Sequence, residues 1–220
     1  MKIGVDLRPL QKETRFRGIG IYLRQLLLAL SRLKNNHDYV FFVEQSLPDP
    51  DIMNLFKRKR VVRLRPNRLA RIRFIRAIVP KNRVIKTSPA EIDVLLEADG
   101  ELGAPKDLRS VLVFHDIIPM LFRDDEIIKQ STGFRKLKRQ LASALYGRKY
   151  AWFLQQYAKA SHILAISKNS LEDLRRYLPE TKNVPATVIY HGGLQNKKGG
   201  EKRPASVPEN SLFLLYVGGI

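Results

Sequence analysis

The sequence predicts an α/β fold with a doubly wound, mostly parallel sheet. Short apolar runs with the length of strands alternate along the chain with longer segments of helical periodicity. The run 39–44 (Tyr-Val-Phe-Phe-Val-Glu) is continuously apolar up to its last residue, as expected for a parallel strand covered on both faces. We find no internal repeat of fixed period, so nothing favours a repeat array.

The first half of the chain contains four predicted strands and two predicted helices. Lys2–Leu7 is a short apolar strand, and the helix that follows carries five leucines on one face: Leu23, Leu26, Leu27, Leu30 and Leu33. After the strand at 39–44 we expect a strand at 61–64, a helix at 68–79 that Pro80 stops, and a strand at 92–96.

The second half continues the alternation. We expect a strand at 111–114, a helix from about 133 to 160, a strand at 162–166, a helix at 168–177 with Ser167 as its N-cap, and a strand at 187–190. Residues 1–193 then form one domain, and the polar segment 194–211 is a linker. Residues 212–220, an apolar run with a glycine pair, are the first strand of a second domain or an edge strand of the first sheet.

Composition narrows the class of protein. The chain has 220 residues, of which 44% are hydrophobic, and no cysteine, so disulfides and thiolate metal sites are excluded. Asp6 and Arg8 interrupt the first apolar stretch, so we expect no secretory signal there. No run approaches the roughly 18 apolar residues of a membrane span. We expect a soluble or peripheral protein in a reducing compartment, the cytoplasm.

The chain is strongly basic, with 40 Lys and Arg against 21 Asp and Glu and a net charge of +19. No acidic residue occurs from Ile52 to Ala90. Such charge attracts nucleic acid, anionic lipid or phosphorylated substrates, or it is a solvated basic face. The predicted contacts are basic residues interleaved with apolar ones: Arg68, Arg71, Arg73, Arg76, Arg135, Lys136, Lys138 and Arg139.

Glycines precede the leucine-rich helix, in the sequence Arg17-Gly-Ile-Gly-Ile-Tyr. A strand, a glycine-containing loop and a helix N-terminus together bind anions well, because free N–H groups and the helix dipole point at the ligand. A plain turn between strand and helix is the alternative interpretation of Gly18 and Gly20.

Five segments in order resemble the N-terminal half of a family 4 retaining glycosyltransferase of the GT-B fold, whose N-terminal domain is Rossmann-like. They are Ile3-Gly-Val-Asp-Leu-Arg-Pro-Leu with the glycine segment, Phe114-His-Asp-Ile-Ile-Pro, Ile166-Ser-Lys-Asn-Ser, Val188-Ile-Tyr-His-Gly-Gly and Leu215-Tyr-Val-Gly-Gly. The nearest subgroup is that of the mannosyltransferase B-like enzymes of O-antigen and lipopolysaccharide biosynthesis.

The resemblance implies roles for particular residues. Gly18, Ile19 and Gly20 would face the donor diphosphate, and His115 would lie beside the transferred sugar. Asp116 would orient that imidazole or contact the acceptor; alternatively it is a helix cap beside an incidental histidine. Arg17, Tyr22 and Ser167 would contact substrate, although Ser167 also fits a simple N-cap. His191 and the glycines after it would mark the interdomain hinge.

The resemblance also implies the partners. A nucleoside-diphosphate sugar would be the donor, GDP-mannose by subgroup, and a saccharide or lipid-linked molecule the acceptor, at the inner face of the cytoplasmic membrane. No metal ion or other cofactor is expected. The groups that grip the nucleotide sugar in such enzymes belong to the second domain, so we expect these 220 residues alone not to turn over.

Two other functions fit parts of the sequence. A nucleic-acid-binding protein would be as basic, but the chain lacks helix-turn-helix, zinc and RNP signatures, and no nucleic acid is expected as partner. A NAD-dependent oxidoreductase would use Glu44 at the end of the second strand. Its fingerprint, however, needs a third glycine where Leu23 stands and a much tighter first turn.

Overall fold

A computed structural model describes residues 1–64, 92–100, 103–105, 107–118, 147–148 and 150–192. These residues form a sheet of seven strands, and every neighbouring pair of strands is parallel. The strands are β1 (Lys2–Asp6), β2 (Asp38–Glu44), β3 (Lys59–Leu64), β4 (Val94–Glu97), β5 (Arg109–Phe114), β6 (His162–Ala165) and β7 (Ala186–Val188). The predicted α/β fold with a parallel sheet is confirmed.

Helices connect the strands. They are α1 (Arg8–Gln11), α2 (Gly18–Arg32), the described helical residues 150–157, which we term α3, and α4 (Lys168–Tyr177). Three short 3₁₀ turns, Glu13–Phe16, Asp51–Leu55 and Pro179–Asn183, complete the described connections. Ser167 is the N-cap of α4, as predicted, and its Oγ accepts a hydrogen bond of 3.0 Å from the N–H of Ser170.

Both faces of β2 are buried, because the strand lies inside the layered fold. Tyr39, Phe41 and Val43 pack into the cluster that contains Leu23 and Leu27 of α2. The alternate residues of the strand, Val40 and Phe42, pack with Leu64, Ile92 and Leu95 on the other face. A strand buried on both faces explains why its sequence is continuously apolar.

The structure corrects several boundaries. Leu33 follows the end of α2 and is 61% exposed, so it does not belong to the buried helical face. Strand β7 ends at Val188 rather than at Tyr190, and Tyr190 is exposed. The predicted helix at 68–79, the linker at 194–211 and the strand at 212–217 lie outside the described residues. Within the described part, no helix is both long and apolar enough to cross a membrane.

The strand order is β3-β2-β1-β4-β5-β6-β7, so the direction of winding reverses between β1 and β4. Val5 in β1 pairs with Phe41 on one side and with Leu96 on the other. Open parallel sheets bind ligands outside the carboxyl ends of the strands at such a switch point. Helix α2, the end of β5 and the end of β7 all reach this edge of the sheet, and they carry the site described next.

Candidate active site

Helix α2 begins with backbone donors that have no acceptor within the helix itself. Its first intrahelical bond runs from the N–H of Ile21 to the carbonyl of Arg17, over 3.0 Å. The N–H groups of Gly18, Ile19 and Gly20 therefore precede the helical hydrogen-bond ladder. The side chain of Arg17, the N-cap residue, does not cap them and is exposed. The sequence thus folds into a helix N-terminus that is suited to an anion.

The two glycines of this segment differ in what surrounds them. A Cβ on Gly20 would collide with the backbone of Thr14 and Arg15, in the 3₁₀ turn just before the helix. A Cβ on Gly18 would meet no atom within 4 Å. Gly20 is therefore required by close packing of two backbone segments, whereas Gly18 is the position with room for a ligand.

His115 follows β5 and is held by the chain that follows β4. Its Nε2 lies 3.0 Å from the carbonyl oxygen of Ala98. A carbonyl only accepts, so Nε2 carries the proton and the lone pair of the neutral ring is on Nδ1. Burial lowers the pKa of His115 and nearby His191 lowers it further, against the opposing effects of the Ala98 bond and of Asp116. On balance these surroundings favour the neutral form of the imidazole.

Tyr22, on α2, brings three segments of the site together. Its ring meets the ring of His115 edge to face, with centroids 5.6 Å apart, and meets the ring of His191 in the same way at 5.1 Å. Its hydroxyl lies 3.4 Å from the carbonyl oxygen of Ile189, to which it donates. Tyr22 is 4% exposed, and this burial raises the pKa of its phenol. It lies one helical turn after Gly18, on the same face of α2.

Asp116 is a loop residue that stabilises its own turn. Its carboxylate accepts a hydrogen bond of 2.9 Å from the N–H of Ile118. Its carbonyl accepts another of 2.8 Å from the hydroxyl of Tyr150. Within the described part of the chain, the imidazole of His115 is held by Ala98 rather than by Asp116. The carboxylate is exposed at the edge of the site.

A buried ion pair lies beneath the site and was missed by the sequence analysis. Asp6, at the end of β1, is 0% exposed and accepts hydrogen bonds from the backbone N–H, Nε and Nη2 of Arg8, the last at 2.6 Å. The missed signal is the position of Asp6 directly at the end of an apolar strand. Charged residues there are expected to be exposed unless they are paired.

Carboxylates converge around this pair. One oxygen each of Asp6, Glu97 and Asp99 lies within 4.8 Å of the others, a spacing that a cation would accept. The guanidinium of Arg8, already bonded to Asp6, supplies positive charge in the same place. Arg8 thus offsets part of the acidic charge without a metal ion.

Of the remaining predicted residues, Ser167 serves as the cap of α4, His191 joins this centre through its ring contact with Tyr22, and the polyanion contacts lie outside the described chain. The hydroxyl of Ser167 is engaged with Ser170, through both the backbone N–H and the side-chain oxygen at 2.9 Å. His191 is exposed after β7. The predicted polyanion contacts lie outside the described residues: Arg68, Arg71, Arg73, Arg76, Arg135, Lys136, Lys138 and Arg139.

Comparison with known proteins is informative about the family. The Glycosyltransferase Family 4 model matches residues 16–192, a range that includes Gly18, His115 and His191. No match was found among curated proteins.

Solved structures offer more distant similarities. The chain is similar to apo UGT2 of Phytolacca americana, with 12% identity and a TM-score of 0.44 over 87% of this chain and 51% of that one. It is also similar to the glycotransferase of kitacinnamycin, with 15% identity and a TM-score of 0.32 over 93% and 55%. The chain spans about half the length of each of these structures.

Proposed function

Because the chain belongs to Glycosyltransferase Family 4, we propose that it forms the acceptor-side, N-terminal domain of a retaining glycosyltransferase. The reaction moves a sugar from a nucleoside diphosphate to a hydroxyl of a saccharide or lipid-linked acceptor. The observation that carries this proposal is the open N-terminus of α2 beside a neutral histidine, at the switch point of the sheet.

In this proposal the N-terminus of α2 stabilises the leaving group. A departing nucleoside diphosphate carries negative charge, which the N–H groups of Gly18, Ile19 and Gly20 would stabilise together with the helix dipole. Gly18 leaves space for a phosphate oxygen to approach the backbone. Since these donors are fixed by the helix, they need no reorganisation as charge develops on the diphosphate.

In this proposal His115 binds the transferred sugar. With its proton on Nε2 and bonded to Ala98, the ring offers the Nδ1 lone pair as an acceptor for a sugar hydroxyl. The Ala98 bond fixes this tautomer, so a hydroxyl donor is recognised and an anionic group at the same place is disfavoured. Asp116, exposed on the adjoining turn, is placed to contact the acceptor.

The finer assignments rest on the subgroup that the sequence resembles. We propose mannose as the sugar and an O-antigen or similar polysaccharide precursor as the acceptor. The acid-free stretch between Ile52 and Ala90 supports docking on an anionic membrane surface at the cytoplasmic face. The proposed reaction also needs the nucleotide-binding domain of a two-domain enzyme, and we propose that it proceeds without a metal ion.

Binding of nucleoside diphosphates tests the proposal without requiring turnover. In ¹⁵N-resolved spectra of this chain, millimolar GDP or UDP should shift the backbone amides of Gly18, Ile19 and Gly20, and the parent nucleosides should not. Absence of shifts at these amides in the folded chain would contradict the proposal. Binding of duplex nucleic acid with a steep salt dependence, and none of nucleotides, would favour the nucleic-acid alternative.

A proline variant isolates the backbone donor. Gly18 is the first helical residue and Arg17 before it is extended, with φ −104° and ψ 172°, so proline fits there. Gly18→Pro removes one N–H and should weaken GDP binding several-fold while the chain stays folded. Gly18→Ala keeps that N–H and is the matched control for added bulk. Equal affinity of Gly18→Pro and the parent chain would exclude the Gly18 donor from the site.

A further inference from the structure

Tyr22 contacts more of the candidate site than any role as a substrate ligand explains. It is almost fully buried, and its hydroxyl is directed at the carbonyl of Ile189. Its ring makes T-shaped contacts with two histidines, His115 and His191. A side chain covered on these sides and engaged through its hydroxyl has little left to offer a sugar.

The contact of Tyr22 with His115 restricts the orientation of the imidazole ring. One hydrogen bond, from Nε2 to Ala98, holds a single ring atom and leaves the ring plane free to tilt about it. The edge-to-face contact with Tyr22, with 83° between the ring planes, restricts that tilt. Together the two contacts define the direction of the Nδ1 lone pair.

We propose that Tyr22 is a positioning residue that fixes the imidazole of His115 and ties it, through Ile189 and His191, to the segment after β7. The role in catalysis rests on the proposed function, since it assumes that His115 faces the transferred sugar. The role in positioning does not, because it concerns contacts within this chain.

The groups that face His115 come from four segments. Tyr22 faces it from α2, the carbonyl of Ala98 from the chain after β4, and His191 from the chain after β7. Asp116 follows it directly in sequence. Burial by this surrounding is the largest influence on the pKa of His115, so the titration of His115 reports whether Tyr22 still covers it.

The test follows the imidazole Cε1–H signal of His115 in this chain by NMR as pH is varied. Tyr22→Leu removes the aromatic cover, so the midpoint of His115 should move upward, toward the ordinary value of histidine. Tyr22→Phe keeps the ring and should leave that midpoint in place. It should also speed amide exchange at residues 189–192, because the hydroxyl tie is gone.

Tyr39→Leu is the matched control. Tyr39 is also 4% exposed, but it lies in β2 among Phe41 and Phe56, away from the site. It should lower stability without moving the titration of His115. The proposal fails if Tyr22→Leu leaves the midpoint unchanged in a folded chain, or if Tyr39→Leu moves it equally.

The conservative variant keeps the proposal testable if Tyr22→Leu does not fold. A midpoint for His115 in Tyr22→Phe that equals the ordinary histidine value would show that the ring does not hold the imidazole. No nucleotide is needed in these measurements, so a failure of donor binding and a failure of positioning are observed separately.

Discussion

The imidazole of His115 and the carbonyl of Ala98 are joined across 3.0 Å, between the chain ends that leave β5 and β4. This bond links neighbouring strands at the edge where ligands bind in sheets of this kind. It also assigns the proton to Nε2, so it determines which nitrogen is available to a substrate. The hydrogen bond between these two adjacent segments thus determines which tautomer of His115 is present.

Stability should depend on pH through His115. Its pKa is lower in the folded chain than in the unfolded chain, mainly because the ring is buried. As pH falls below the ordinary histidine pKa, about 6.5, the unfolded state binds a proton that the folded state resists. The free energy of unfolding therefore decreases as the pH falls from the unfolded pKa of His115 to its lower folded pKa.

His115→Gln removes this contribution. The free energy of unfolding of the parent chain, measured in urea from pH 7.5 to 5, should fall more steeply than that of His115→Gln. Ser167→Ala, which lowers stability without changing a titratable group, serves as control and should keep the parent slope. Identical slopes for the parent and His115→Gln would contradict a lowered pKa.

Alanine at the two glycines of α2 should have opposite effects on stability. Gly20→Ala forces a methyl group against the backbone of Thr14 and Arg15, so we expect a loss of about 1–3 kcal/mol in the free energy of unfolding. Gly18→Ala points into open space in a helical turn and should be neutral or gain up to about 1 kcal/mol. Thermal and urea denaturation measure both, and equal losses would show that the packing at Gly20 is wrong.

Two aspartate–arginine pairs should differ sharply in importance. Asp6→Asn replaces the charged acceptor of a buried pair while Glu97 and Asp99 stay nearby, so it should cost about 1–3 kcal/mol. Asp51, paired with Arg24 at 2.9 Å, is 74% exposed and solvent screens it, so Asp51→Asn should cost less than about 1 kcal/mol. Urea denaturation at low and high salt checks both, since only the exposed pair should respond to salt.

The cap of α4 should be measurable by substitution. Ser167→Ala removes the acceptor for the N–H of Ser170 and should cost about 1 kcal/mol, whereas Ser167→Gly should cost only a few tenths. Denaturation of the two variants beside the parent chain gives the order. A loss no larger for alanine than for glycine would argue that the hydroxyl does not act as a cap.

The strands of this fold were predictable because buried strands consist of continuous apolar runs in the sequence. Runs such as 39–44 and 111–114 are apolar on both faces of the sheet, and the observed strands differ from the predicted ones mainly by one to three residues at their ends. Helix α1 was not predicted, because four residues are too short for a periodic pattern. Leu33 was placed on the buried face by periodicity alone, which does not show where the helix ends.

The candidate site was predictable in part. Gly18 and His115 could be selected as candidates because a glycine before a helix and a histidine after a strand are local patterns in the sequence. The difference between Gly18 and Gly20 could not be predicted, since it depends on a turn that packs back against the helix. The Asp6–Arg8 pair and the contact of Tyr22 with His191 also escaped, because they depend on which segments become neighbours in the folded chain.

Strand β1 precedes the other described strands in sequence, yet it lies in the middle of the sheet and its partner β4 begins at Val94. The hydroxyl of Tyr22 meets the carbonyl of Ile189 across a sequence separation of 167 residues. At a synthesis rate of about 5–20 residues per second, roughly 10 to 30 s separate the appearance of these two partners at the ribosome. The contacts of Tyr22 with Ile189 and His191 therefore form only after the pairing of β1 with β2 and β4 has become possible.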